Sequence, residues 1–185
     1  GNQITAQAGC SLAQIANAAL DAALTGFEFA AGIPGTLGGA VVMNAGAYGG
    51  EMKDVLTSVR VMTEEGEIME LPAEKLGLGY RTSIIPEKRY IVLGAVISLT
   101  EGKKEEIKAQ MDDLRQKRVS KQPLEYPSAG STFKRPEGYF AGKLIEDAGL
   151  RGFQVGGAQV SEKHCGFVIN RDHATAADIM ELMRQ

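Results

Sequence analysis

Seven glycines, Gly32, Gly35, Gly38, Gly39, Gly46, Gly49 and Gly50, fall within nineteen consecutive positions of this 185-residue chain. Such a density leaves backbone amides uncovered, and a run of bare N–H groups can form a nest for the oxygens of a pyrophosphate. The first stretch, Ala31 to Ala40, is not a Walker loop, because no Gly-Lys-Ser/Thr follows it. It also lacks the G-x-G-x-x-G spacing of the dinucleotide fingerprint. A tight packing turn between strand and helix explains this stretch equally well. The second stretch, Asn44-Ala45-Gly46-Ala47-Tyr48-Gly49-Gly50, tips the balance towards two backbone segments lining one elongated ligand.

Five further positions could do chemistry. Arg81 stands between Tyr80 and Thr82, just ahead of the apolar pair Ile84-Ile85. A fixed guanidinium there can hold a carboxylate with two hydrogen bonds, and a surface ion pair is the plain alternative. Ser131 ends the small-residue run Ala129-Gly130-Ser131, with no G-x-S-x-G elbow around it, so a hydrolase nucleophile is not expected. A turn serine bonding its own backbone is the other reading. Lys121 and Lys134 bracket a loop broken by Pro123, Pro127, Gly130 and Pro136; they suit a diphosphate or are simply solvated. His164, in Ser161-Glu162-Lys163-His164-Cys165-Gly166, is either a neutral hydrogen-bond donor or a packed loop histidine. With His173 the only other histidine and no H-E-x-x-H spacing, no metal centre is expected.

These side chains need a scaffold, and the composition can supply one. The chain is 44% hydrophobic and 23% charged, which excludes a disordered or fibrous protein. No apolar run approaches the eighteen or so residues of a membrane span. A formal net charge of −3 argues against a nucleic-acid partner. Gly1 to Cys10 has no basic segment followed by an apolar one, so no secretory signal is read. Cys10 and Cys165 lack metal-ligand spacing and fit a reducing compartment, so a cytoplasmic location is expected, with no membrane partner and a monomer or weak oligomer.

Ser11 and Gln14 form a capping box for a helix reaching about Leu24. Val59 and Val61, then Glu67 to Leu71 after the Glu64-Glu65-Gly66 turn, predict a hairpin. Tyr90 to Leu99 alternates as a strand, and Lys103 to Val119 carries Ile107, Met111 and Leu114 at helical spacing. Lys121 to Pro136 reads as loop, with a domain seam near Gln122 that divides the chain into residues 1–122 and 123–185. Beyond it lie a helix over Tyr139 to Ala148 stopped by Gly149, a short strand Phe167 to Asn170, and a helix capped by Thr175 and Asp178 that runs into Gln185. The chain opens in what reads as a strand, and both ends look cut.

The stretch Gly32-Ile33-Pro34-Gly35-Thr36-Leu37-Gly38-Gly39-Ala40 with Asn44-Ala45-Gly46-Ala47-Tyr48-Gly49 resembles the UDP-N-acetylenolpyruvoylglucosamine reductase family. Its first half is shared with other flavoproteins of the vanillyl-alcohol-oxidase-like FAD fold. Three later stretches narrow the resemblance: Tyr80-Arg81-Thr82-Ser83, Pro127 to Lys134, and Gly156-Gly157-Ala158 through Glu162-Lys163-His164 to Asn170. The resemblance covers essentially the whole chain, although family members are longer at both ends. Only about forty positions separate Arg81 from Lys121, which matches the shorter branch without a tyrosine-bearing capping loop.

This resemblance implies an α+β architecture: the second part of an FAD-binding domain, then a C-terminally truncated α+β substrate-binding domain. It implies NADPH-driven reduction of UDP-N-acetylglucosamine enolpyruvate to UDP-N-acetylmuramate, a step of peptidoglycan precursor synthesis on which cell wall, shape and division depend. By resemblance Arg81 holds the enolpyruvyl carboxylate and Ser131 donates the proton. Gly32, Ile33, Pro34, Gly35, Gly38, Gly39, Asn44 and Gly46 line the FAD, and Tyr80, Lys121, Lys134 and His164 contact the UDP-sugar. Arg135 stands where some members carry asparagine, so the substrate contact there is expected to differ, and His164 stands where other branches carry glutamine and is read as a neutral donor. The first half of the FAD site and a C-terminal strand bearing a glutamate lie outside these residues, so the chain alone is expected to be inactive. Another FAD oxidoreductase of the same fold, or a non-catalytic nucleotide-binding module, are the competing readings.

Overall fold

The computed structural model describes residues 1–185. The chain divides into two compact units, Gly1–Gln116 and Lys117–Gln185. In the first, β1 (Gln3–Gln7) leads into α1 (Leu12–Asp21). The capping box forms: Ser11 Oγ accepts the Gln14 N–H at 3.2 Å and Gln14 Oε1 accepts the Ser11 N–H at 2.9 Å. Leu12, Ile15, Ala16 and Ala19 then bury one stripe of the helix. The helix stops at Asp21, before the expected Leu24, because Leu24–Thr25 is extended as β2 after a left-handed Ala23.

Next come α2 (Leu37–Val42), the short hairpin β3 (Gly46–Ala47) and β4 (Gly50–Glu51), and the predicted hairpin β5 (Leu56–Met62) and β6 (Ile68–Pro72). The one-turn helix α3 (Ile84–Glu87), β7 (Ile91–Ser98), β8 (Thr100–Glu101) and the long α4 (Lys104–Lys121) follow, the last turn of α4 from Lys117 onward belonging to the second unit. The main sheet is antiparallel, in the order β1-β7-β5-β6. Period-two alternation gives it two faces: Val59 and Val61 are fully buried, while Thr57 and Arg60 between and beside them are exposed. Each buried valine contributes about 1.5–3 kcal/mol of transfer energy. Helix α2 packs on β7 and β1, and Leu37 and Val41 join Phe27, Met52, Leu76, Ile85 and Ile97 in the core. No helix is long and apolar enough to cross a membrane.

The second unit carries β9 (Ser128–Ser131), α5 (Ala141–Asp147), the hairpin β10 (Gln154–Val155) and β11 (Ala158–Val160), β12 (Phe167–Asn170) and α6 (Ala176–Leu182). Its antiparallel sheet runs β10-β11-β12-β9, and α6 packs on β10 and β11. Two expectations are corrected here, and one element is added. The stretch read wholly as loop contains β9, whose residues Ser-Ala-Gly-Ser carry no apolar alternation. It is an edge strand formed on β12, with an irregular register and Gly130 at φ +85°. The β10–β11 hairpin was not anticipated, because its strands are two and three residues long. The last helix ends at Leu182 rather than at Gln185: Met183 is its C-cap, and Arg184 N–H turns back to Glu181 O at 3.0 Å.

Gly157 is fixed by close approach. An added Cβ would lie 1.9 Å from Asp172 O and 2.5 Å from Ala174 N, both backbone atoms that cannot move alone. Gly157→Ala is expected to destabilise this unit by at least the ~1–3 kcal/mol typical of overpacking, read as a lowered denaturant midpoint.

At the start of α6, Asp178 Oδ2 accepts the Thr175 N–H at 2.8 Å and Thr175 Oγ1 accepts the Asp178 N–H at 3.1 Å. These bonds, the backbone one from Thr175 foremost, hold the Asp178 carboxyl below its ordinary value of 3.8. A carboxyl depressed by folding stabilises the protein above its unfolded pKa and loses that contribution as pH falls through the folded one. Asp178→Asn is therefore expected to lower the urea midpoint at neutral pH. The gap to the unsubstituted protein should close as pH drops below the ordinary carboxylate range.

Candidate functional site

In the first unit the glycine-rich stretch is laced to the loop after β1. Leu12 N–H donates to Gly35 O at 3.0 Å, Leu37 N–H to Cys10 O at 2.9 Å, and Gly38 N–H to Ala8 O at 2.9 Å. Two amides of the first turn of α2 are thus already used. What stays accessible is a ribbon of exposed backbone through Gly32, Pro34, Gly35, Thr36 and Gly39, with Ile33 half-buried beneath it.

The glycines of this ribbon fall into two kinds. A Cβ at Gly35 would meet nothing within 4 Å, and one at Gly39 would meet only Thr36 Oγ1 at 3.9 Å, so packing within the chain does not call for glycine at either. A ligand laid against the backbone would. At Gly38 the structure supplies a different reason: a Cβ there would stand 3.0 Å from Ala8 Cβ, so the close approach of α2 to the β1 loop favours glycine. At Gly46 the obstacle is again internal, Gly50 O at 2.7 Å. The open backbone at Gly35 and Gly39 fits an extended cofactor lying along the ribbon.

Arg81 reaches this stretch directly. Its Nη2 donates to Gly46 O at 3.2 Å, and its guanidinium carbon lies 5.2 Å from the centre of the half-exposed Tyr80 ring. A guanidinium has five N–H donors, so one spent on Gly46 leaves others for a carboxylate. Asn44 φ is +42°, Tyr48 φ is +54° and Arg81 φ is +55°. A side-chain-bearing residue in this left-handed region costs on the order of 1–3 kcal/mol, tolerated where the surroundings enforce it. Asn44, expected to face a cofactor, is instead fully buried. Its Nδ2 donates to Glu51 Oε2 at 2.7 Å and Gly79 O at 3.1 Å, and its Oδ1 accepts the Lys53 N–H at 2.9 Å.

In the second unit, Phe167 at the start of β12 meets both Ser131 at the end of β9 and His164 in the loop before it. Ser131 is the register partner of Phe167, whose N–H donates to His164 O at 3.0 Å. Ser131 is exposed at the end of its strand. His164 is half-buried, edge-to-face with Phe167 at 5.0 Å, and its Nδ1 accepts the Gly166 N–H at 3.0 Å. That acceptor role puts the proton of the neutral ring on Nε2, which becomes a donor. His164 is thus packed against Phe167 and tied to the Gly166 amide.

Lys121 and Lys134 are both exposed. Arg135 is committed within its own segment, stacked 4.1 Å from the Phe140 ring centre and donating to Tyr139 O. A residue that sequence reasoning passed over is Lys163. Its Nζ donates to Val119 O at 2.9 Å and pairs with Glu125 at 3.5 Å, tying the His164 loop to the last turn of α4 near Lys121. Nothing in the local sequence distinguishes it from any loop lysine. Burial pushes the adjacent Cys165 thiol up, keeping it an inert packing group.

The comparisons with known proteins follow the same division. A family model described as an FAD binding domain matches residues 1–72. A second, described as the C-terminal domain of UDP-N-acetylenolpyruvoylglucosamine reductase, matches residues 122–185. The reductase of Agathobacter rectalis is 65% identical over 181 residues, which is 98% of this chain and 58% of that protein. The chain belongs to the UDP-N-acetylenolpyruvoylglucosamine reductase family. The family's reductase from Lachnoclostridium phytofermentans is 61% identical over 99% of this chain and 59% of its own length. The crystal structure of the Thermus caldophilus reductase superposes with a TM-score of 0.89 at 40% identity, covering 98% of this chain and 66% of that one. The chain therefore spans about three-fifths of the length of the curated family members it matches.

Proposed function

We propose that these residues form the middle and most of the C-terminal part of an enzyme that reduces UDP-N-acetylglucosamine enolpyruvate to UDP-N-acetylmuramate in the cytoplasm, with NADPH as reductant. The observation that carries this reading is Arg81. A strained arginine, docked on the Gly46 carbonyl, puts a carboxylate-binding group on the glycine-rich ribbon itself. The substrate is an enol ether bearing a carboxylate, and its family relatives are named for it.

The ribbon from Gly32 through Ile33, Pro34, Gly35, Gly38 and Gly39 to Gly46 would hold FAD, with Gly35 and Gly39 giving backbone access. When bound, FAD supplies hydride to one carbon of the alkene. Arg81 grips the carboxylate and stabilises the negative charge that spreads onto it in the transition state. Ser131 gives its hydroxyl proton to the other alkene carbon, so that C–H bonds form at both and the π bond is lost. The alkoxide left behind recovers a proton from water. Lys121 and Lys134 meet the diphosphate, His164 donates Nε2–H to the sugar portion, and Tyr80 packs beside the guanidinium it already touches.

The test uses a full-length protein carrying this sequence, supplied with NADPH and the enolpyruvyl substrate. A product heavier by two hydrogens, with NADPH consumed in equal amount, is expected. NADPH consumption with no such product would favour a different FAD oxidoreductase.

A further inference from the structure

The turn that presents Arg81 is held at both ends by one short piece of chain. At its start, Gly79 O accepts the Asn44 Nδ2–H at 3.1 Å. At its end, Ser83 Oγ donates to Val42 O at 2.7 Å and accepts the Ile85 N–H at 3.3 Å. Val42 and Asn44 flank the C-cap of α2 and are two residues apart. Between the clamps, Gly79 and Thr82 exchange backbone hydrogen bonds at 3.1 and 3.3 Å, and Arg81 sits inside that loop at φ +55°. Asn44 is fully buried and Ser83 is 8% exposed, so neither side chain is available to a ligand. Both Nδ2 hydrogens and the Oδ1 of Asn44 are used within the fold. An unfavourable backbone conformation persists only where its surroundings over-determine it, and these two bonds do so here.

We infer that Asn44 and Ser83 are positioning residues that clamp the Arg81 turn to the end of α2 and so aim the guanidinium at the carboxylate of the substrate. This rests on the reading of Arg81 as the carboxylate-binding group. The α2 segment leads from the glycine-rich ribbon, so the clamp fixes the distance between the ribbon and the guanidinium through two side chains. Asn44 contributes to the site without touching cofactor or substrate.

Asn44→Ala strips three hydrogen bonds from a closed site and risks the fold itself, so Ser83 carries the test. Binding is measured by titration calorimetry on the oxidised full-length protein, with two probes: UDP-N-acetylglucosamine enolpyruvate and UDP-N-acetylglucosamine, which lacks the carboxylate. The preference for the first probe is the readout. Arg81→Ala should abolish it. Ser83→Ala should cut it about tenfold, the scale of one net hydrogen bond, with affinity for the second probe unchanged. Ser83→Thr, which keeps the hydroxyl, should retain it. Adding Ser83→Ala to Arg81→Ala should change nothing further, because the clamp acts through the arginine. The inference is overturned if Ser83→Ala keeps the full preference or weakens both probes alike. If Arg81→Ala itself keeps the preference, the carboxylate reading of Arg81 fails, and the clamp has no such ligand to aim at.

Discussion

Arg81→Ala in the full-length protein should slow reoxidation of the reduced flavin by substrate by about 10²–10³-fold, the loss typical of one group aimed at developing charge. The carboxylate gains negative character as hydride reaches the alkene, so the guanidinium binds the transition state more tightly than the ground state. Arg81→Lys should recover only a small part of the rate. A single ammonium cannot donate to Gly46 O and grip both carboxylate oxygens in one plane. Glycine takes φ +55° without penalty, so Arg81→Gly should be as inactive as Arg81→Ala while unfolding at no lower denaturant concentration. Reduction of the flavin by NADPH, which brings no enolpyruvyl carboxylate, should stay within about twofold of the unsubstituted rate. Rapid-mixing absorbance of the two half-reactions separates these outcomes.

Ser131→Ala should have the second large effect, about 10²–10⁴-fold on the same half-reaction, the range of a positioned general acid. Ser131 is exposed at the end of an edge strand, so little stability is expected to go with its hydroxyl. Substrate affinity should change little, leaving the loss in kcat rather than KM. Ser131→Cys keeps a transferable proton at a similar place and should restore part of the rate. Equal losses in Ser131→Ala and Ser131→Cys would mean that the hydroxyl positions the substrate instead.

The two effects differ in how far the sequence could lead to them. Elements with their own periodicity or caps were readable from the chain: the β5–β6 hairpin, β7, the capping box of α1 and the Thr175–Asp178 cap of α6 all form where residue spacing places them. Elements that exist only because a partner receives them were not. Helix α2 contains Gly38 and Gly39, each costing about 1 kcal/mol in a helix, and it forms because Leu37, Ala40 and Val41 are buried. Strand β9 depends on the backbone of β12 across more than thirty positions.

The site divides in the same way. The glycine density, Arg81 and Ser131 stood out by composition and resemblance. Their supports did not, because Asn44 to Gly79 and Arg81 to Gly46 are contacts across thirty-five positions that no local pattern encodes. Gly38 has in addition a packing reason that no local pattern shows, since its missing side chain makes room for Ala8. Lys163 was invisible for a third reason: a loop lysine acquires meaning only when a helix end is found within its reach.

The most direct test of the central claim is the visible spectrum of the purified full-length protein, followed without oxygen. NADPH should bleach its flavin bands, UDP-N-acetylglucosamine enolpyruvate should restore them within one turnover, and UDP-N-acetylglucosamine should not. Flavin bands that bleach but do not return with the enolpyruvyl ether, or a protein that carries no flavin, would contradict the account.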